Sequence, residues 1–283
     1  MLEQTLINAL LLGMTYVVVA SGLTLVFGVM HVFNFAHGEL YMLGGFVGYL
    51  LLEILGVNFF AAMILTMAVM FFFGVLIEKY AFRLVRGKLI PSMILSLGLS
   101  LGLSGFALLA ITENDLSAAS PFPGVIQLGQ LVLARERLMV IVLCFLIMVA
   151  MFIFLHRFKW GRAMRAVATD PEAAALQGIN IYKIYNLTFA IGSATLGLAG
   201  AFLMPYFYVH SSVGVIFTIK AFIVVVLGGM GSITGALLGG FVVGMSESVG
   251  SLFVSTTTAD LLVFLIFISV LLFKPSGLLG KEE

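Results

Sequence analysis

Long apolar runs broken by short polar stretches organise this 283-residue chain. Runs close to the ~20 residues that a bilayer-crossing helix needs occur at Leu6–Met30, Ala36–Leu55, Phe59–Ile77, Leu89–Ile111, Leu138–Leu155 and Leu187–Phe207. Three less regular ones follow at Val213–Met230, Ser232–Leu252 and Leu261–Phe273. The pattern predicts an all-α, polytopic helical membrane protein, with residues 1–283 forming a single transmembrane domain. The first run is not expected to be a cleaved signal. Glu3 stands where a basic flank belongs, the run is too long, and no cleavage-like break follows it.

Charge placement sets the expected orientation, because lysine and arginine collect on the cytoplasmic side. Lys79, Arg83, Arg86 and Lys88 share one loop; Arg157, Lys159, Arg162, Arg165 and Lys183 share another, at about 156–185. Between them, the loop at about 113–137 sets Glu113, Asp115 and Glu136 against Arg135 and Arg137, and is taken as the outer loop. Three crossings before Lys79 then put the N-terminus outside. Lys274 and Lys281 draw the C-terminus inside, which requires nine crossings. Eight crossings with a re-entrant segment at Gly228–Gly240 is the alternative, since the glycines there suit either a tight hairpin or broken helices.

Composition agrees with the membrane class. Hydrophobic residues make up 62% of the chain and charged residues 10%, against roughly a quarter charged in soluble domains. A net charge of +1 argues against nucleic-acid binding. Cys144, alone in an apolar run, leaves no disulfide framework or metal cluster to expect. No phosphate-binding loop, zinc-protease motif or serine elbow is present, so no catalytic residue or metal site is assigned.

Small residues point to close helix packing. Ser96, Gly98, Ser100, Gly102, Ser104 and Gly105 thin the fourth run. Gly231, Gly235 and Gly239 recur every four residues, as do Gly240 and Gly244, and Gly44 and Gly48; such spacing lets backbones approach where lipid gives no hydrophobic drive. Gly44, Gly235 and Gly239 are therefore candidates to flank a translocation path. The similar segments Leu43–Gly48 and Leu238–Gly244 suggest an internal repeat.

Polar groups at membrane depth each need a reason, at ~2.5–3.5 kcal/mol for a central charge. The stretch HVFNFAHGE, His31–Glu39, joins the first two runs. It suits either a polar turn or a broken helix whose freed backbone groups line a cavity, with Asn34, His37, Gly38 and Glu39 as candidate path residues; metal binding is not expected. Lys220 lies about two turns into its run and either snorkels outward or pairs with Glu39 or Glu247. Glu247 is expected near the outer interface.

The most distinctive polar segment is TDPEAAALQGINIYKIY, residues 169–185. Asp170 suits an N-cap, Pro171 the first helical position, Glu172 the positive end of the dipole and Gly178 the C-terminal stop. Ala173, Ala174, Leu176 and Ile179 are expected to be exposed on this short helix, with no core of their own. A capped apolar helix of this kind suits a socket on another protein. Glu172, Ala173, Ala174 and Gly178 resemble the EAA-x3-G core of the coupling loops of ATP-binding cassette importers.

Three separated motifs extend that resemblance over nearly the whole chain. SGLTLVFGVMHVFNFAHGELYMLGGFVGY (Ser21–Tyr49), the coupling segment, and KAFIVVVLGGMGSITGALLGG (Lys220–Gly240) with the tail LLFKPSGLLG are similar to the LivH-type permeases of branched-chain amino-acid importers. The resemblance implies an inner-membrane permease of a bacterial cell with a second, LivM-type permease, two cytoplasmic ATPases and a periplasmic or extracellular substrate-binding protein. It implies no cofactor on this chain, ATP and Mg being used by the ATPases. A start directly at the first apolar run suits the LivH partner better than LivM. One departure is that no proline follows Gly178 until Pro205, so socket contacts map only onto the EAA-x3-G positions. The readings set against it are an ion-gradient-driven secondary transporter or channel using His37, Glu39 or Lys220 as a relay, and a related permease for other amino acids, amides or urea.

Overall fold

The computed structural model describes residues 2–111, 115–128, 131–253, 255–274 and 276–280; Glu113 and Lys281, used above for orientation, lie outside them. Nine of the helices match the apolar runs: α1 (Leu2–Met30), α2 (His37–Tyr49, prolonged by a π-helical turn Leu50–Ile54), α3 (Phe59–Tyr80), α4 (Leu89–Ile111), α5 (Arg135–Arg157), α8 (Ile181–Leu203), α9 (Val213–Gly228), α10 (Ile233–Phe253) and α11 (Thr256–Phe273). Among the described residues, six helices are long and apolar enough to cross a membrane, and α9 and α11 are shorter apolar helices. Between α5 and α8 lie α6 (Lys159–Thr169) and α7 (Pro171–Leu176).

Two boundaries differ from the apolar pattern for local reasons. α8 starts at Ile181 rather than Leu187, because Asn180 caps it by accepting the Lys183 amide at 3.1 Å. The polar residues Tyr182, Lys183 and Asn186 are thus its first turns. The loop near 113–137 contains a short antiparallel hairpin, β1 (Val125–Leu128) with β2 (Leu131–Ala134), paired Val125 to Ala134 and Leu128 to Leu131. A further bridge, Leu116 to Val209, ties this loop to the α8–α9 connection.

α1 is the hub, packed on α5, α8, α9 and α10. Its most apolar stretch is 83% buried, whereas that of α4 is 17% buried. Close contacts run along glycine rows. A side-chain carbon at Gly44 would strike the backbone of Gly197 on α8, one at Gly235 the Gly228 carbonyl, and one at Gly239 the Val224 carbonyl. In α4 a side-chain carbon at Gly98, Gly102 or Gly105 would meet open space, so these three glycines mark no close helix contact within this chain.

The stretch at Gly228–Gly240 is a tight hairpin, α9 closing at Gly228 and α10 opening at Ile233. Gly229, with φ of 101°, makes the turn that an L side chain resists. The unwound element lies instead at residues 31–36. The chain leaves α1 at Met30 and doubles back, so that α2 begins beside Val19, in the middle of α1. Phe33 and Phe35 hold this return on Phe222, with ring centroids 6.1 and 5.0 Å apart.

Candidate coupling and permeation site

The coupling segment folds as its residues dictate. The Asp170 carboxylate accepts the amides of Glu172 at 2.9 Å and Ala173 at 3.0 Å, and Pro171 occupies the first turn. Gly178 ends the helix at φ 81°, its amide donating to the Ala175 carbonyl at 2.9 Å. Leu176 is 88% exposed, and Glu172 and Ala173 are exposed beside it. Ala174 is the correction. It is 4% exposed, because α7 lies on α6 and α8 and turns this methyl into the core that holds Met164, Val167 and Ile184. Ile179 is likewise half-buried. The outward apolar surface is thus carried by Leu176 and Ala173, amid the exposed cations Arg157, Lys159, Arg162 and Arg165.

The start of α2 sits deep in the bundle, and its backbone groups are met by side chains, as hydrocarbon surroundings require. Asn34 is 1% exposed, and its Oδ1 accepts the Ala36 amide at 3.1 Å. The Gly38 amide donates to Thr218 Oγ1 at 2.8 Å. His37, 1% exposed, donates Nε2–H to the Val19 carbonyl at 2.9 Å, which fixes its tautomer. Gly38 has no room for a side chain against Gly214 and Thr218. Glu39 is fully buried: Ser100 Oγ donates to its Oε1 at 3.0 Å, and Oε2 has no hydrogen-bond partner. This is the broken-helix form of the His31–Glu39 segment, with the polar groups packed inward.

Lys220 does not snorkel and does not meet Glu39. Its Nζ donates to Glu247 Oε2 at 2.7 Å and to Asp260 Oδ1 at 2.5 Å. Tyr16 OH donates to the same Glu247 oxygen at 2.8 Å, and the ammonium stands 5.5 Å from the Tyr16 ring centroid. Four helices, α1, α9, α10 and α11, thus meet at one charge cluster, in which the Glu247 side chain is 21% exposed. The cluster borders a cavity of about 360 Å³ under the α8–α9 connection, with Asp115, Tyr206 and His210 on its rim. One cation faces two carboxylates, and the Asp260 side chain is 54% exposed.

Thr218, Tyr16 and Asp260 are not marked by the sequence pattern, and Ser100 is marked there only as a small residue. Asp260 had a usable signal, as the ionisable residue inside the α11 run Thr256–Phe273. Gly44, Gly235 and Gly239, marked as path candidates, lie in contacts between helices of this chain.

The model of a family described as the branched-chain amino acid transport system / permease component matches residues 5–271. The high-affinity branched-chain amino acid transport system permease protein BraD of Pseudomonas aeruginosa is 36% identical over 300 residues, covering 99% of this chain and 96% of BraD. The corresponding LivH of Escherichia coli K12 is 34% identical over 299 residues, with 99% and 96% covered. Among solved structures, PsaBC from Streptococcus pneumoniae in complex with Fab aligns with a TM-score of 0.50 at 15% identity, over 96% of this chain and 92% of that one, a likeness of fold alone. With its family model spanning nearly the whole chain and its apolar helices in place, the chain belongs to the branched-chain amino acid transport permease family.

Proposed function

We propose that this chain is the LivH-type permease subunit of an ATP-binding cassette importer, carrying leucine, isoleucine and valine across a bacterial inner membrane. The observation that carries the reading is α7. It is capped at both ends, presents an 88% exposed Leu176, and stands among the exposed cations of α5 and α6. An exposed apolar side chain on a rigid, capped turn suits insertion into a cleft of a partner. In this reading Asp170 and Gly178 set the shape of the plug, Glu172, Ala173 and Leu176 meet an ATPase, and Ala174 anchors the plug to α6 and α8. ATP and Mg act on two separate ATPase subunits, a LivM-type permease completes the membrane pair, and a binding protein delivers substrate from outside.

The basic ends support an orientation with α6, α7 and the α3–α4 connection in the cytoplasm, the N-terminus outside and the C-terminus inside. The cavity at Lys220, Glu247 and Asp260 then opens outward. A route lined by apolar helices with few charged groups discriminates weakly, at about 1–3 kcal/mol per methylene, so selection belongs mainly to the binding protein. Its polar groups offer passing contacts to an amino acid's ends without a tight site that would hinder release.

The test is reconstitution of the permease pair and its ATPases in liposomes, with ATP on the ATPase side. Leucine uptake is expected only when ATP and externally added binding protein are both present. Gradient-driven leucine uptake by this chain alone would overturn the reading in favour of a secondary transporter.

A further inference from the structure

The structure assigns a binding site for an anionic phospholipid to the furrow between α3 and α5 on the outer side of α8. Three cavities, of about 1070, 540 and 320 Å³, follow one another along this furrow. Phe71, Phe154 and Ile191 border both the first and the second, and Ile147, Ala150 and Leu198 border both the second and the third, so they form one continuous channel. From Lys183 to Phe202 it follows α8 for about 28 Å at 1.5 Å per residue, close to the hydrocarbon thickness of a bilayer. The second and third cavities are walled almost wholly by aliphatic and aromatic side chains. An acyl chain of one leaflet spans the apolar depth of the first and the length of the second.

The polar end has the opposite character. Lys79, Arg83, Arg86 and Lys183 gather there around one carboxylate, Glu78. Glu78 is already committed: Arg86 Nη2 donates to one oxygen and Asn186 Nδ2 to the other at 2.9 Å. Among the described residues, Lys79, Arg83 and Lys183 have no carboxylate partner. Arg86 Nε and Nη1 are buried with no hydrogen-bond partner. Its guanidinium is held over the rings of Tyr182 at 5.0 Å and Tyr185 at 5.3 Å, in a fixed orientation. Lys79, Arg83 and Lys183 are the exposed donors on the cavity wall, and a phosphodiester supplies the charge-assisted acceptors they lack among the described residues. The charge excess selects an anionic headgroup, and the apolar furrow beyond it selects a lipid over free phosphate. Asn180 and Trp160 on the rim place the headgroup beside α6 and α7.

The purified full-length chain is exchanged in detergent against dioleoyl-phosphatidylglycerol or dioleoyl-phosphatidylcholine, and bound lipid is counted by native mass spectrometry. Wild type is expected to retain phosphatidylglycerol about tenfold better than phosphatidylcholine. K79Q/R83Q/K183Q, three exposed positions whose change spares the Glu78–Arg86 pair, should bring the two lipids level. Ala68→Trp, placing a ring in the central cavity from an exposed position, should reduce retention of both. Glycerol phosphate at millimolar concentration should compete for neither. Equal retention of the two lipids by wild type, an unchanged preference in the triple variant, or displacement by glycerol phosphate would overturn the assignment. So would absence of bound lipid from the assembled permease pair with a cysteine at Ala150 shielded from lipid-soluble maleimide, because the furrow would then be filled by the second permease.

Discussion

Lys220 on α9 and Asp260 on α11 form an ion pair across forty residues of chain, with Nζ 2.5 Å from Oδ1. Glu247 on α10 is the second acceptor, so one ammonium fastens three successive helices. Removing Lys220 strands the mostly buried Glu247 carboxylate, whereas Asp260, with its side chain 54% exposed, stays solvated; a stranded buried charge typically costs about 3–5 kcal/mol. Lys220→Met is therefore expected to lower the thermal midpoint of the purified protein far more than Asp260→Asn, which leaves Glu247 in place. Adding Glu247→Gln and Asp260→Asn to Lys220→Met should recover much of the loss. A triple variant no more stable than Lys220→Met alone would contradict this account of the cluster.

The two sides of α7 should behave differently. Leu176 is exposed, and Leu176→Ser should alter stability by no more than about 0.5 kcal/mol. The same change should reduce co-purification with the ATPase and lower uptake at least tenfold, the loss expected where a central anchor worth ~2 kcal/mol is truncated. Ala174→Arg should fail earlier, by forcing a cation into the contact of α7 with α6 and α8. Limited proteolysis of the 156–185 region separates the effects: faster cleavage is expected for Ala174→Arg and an unchanged pattern for Leu176→Ser.

Glycine substitutions provide a third check. Gly239 has the Val224 carbonyl in the place of a side chain, while Gly98 has open space. Gly239→Ala should push α9 and α10 apart, lowering the thermal midpoint by several degrees, at the ~1–3 kcal/mol of an overpacked contact. Gly98→Ala should be neutral or slightly stabilising as a better helix former. Equal effects at the two positions would mean that these packing contacts do not hold in solution.

A fourth variant probes the deep start of α2. Thr218 Oγ1 is the acceptor for the Gly38 amide. Thr218→Val keeps the shape but strands that amide, a loss of about 1–3 kcal/mol. Thr218→Ser should be nearly neutral. The comparison, measured as thermal midpoints, isolates the hydroxyl from the methyl.

Much of this architecture is legible in the chain itself. Apolar run length located the nine helices that match the runs, with the starts of α8 and α11 missed by several residues, and Asp170, Pro171 and Gly178 marked α7 unaided, because caps depend on neighbours in sequence. What escaped depends on depth and on distant partners. The segment at 31–36 and the glycines at 228–240 both suit a broken helix, and nothing local says which re-enters the bundle. Ala174 is buried by residues on α6 and α8, so its helix alone gives the wrong exposure. For Lys220 the sequence leaves open snorkelling or pairing with Glu39 or Glu247, and Asp260 stands just before the Leu261 start of its apolar run, where a flanking charge needs no partner. The β1–β2 hairpin sat inside a segment defined only by its charges.

Residues 278 and 279 finish a helix made fifty residues earlier. The Leu278 amide donates to the Leu227 carbonyl at 2.8 Å and Leu279 to Gly228 at 3.0 Å, closing the end of α9 after α10 and α11 have intervened. During synthesis these two donors leave the ribosome only when every helix described here has been made. Until then α9 keeps two open acceptors at its end. A chain halted in α11 therefore leaves the Leu227 and Gly228 carbonyls without these two donors, and the end of α9 is closed only by residues from the far end of the sequence.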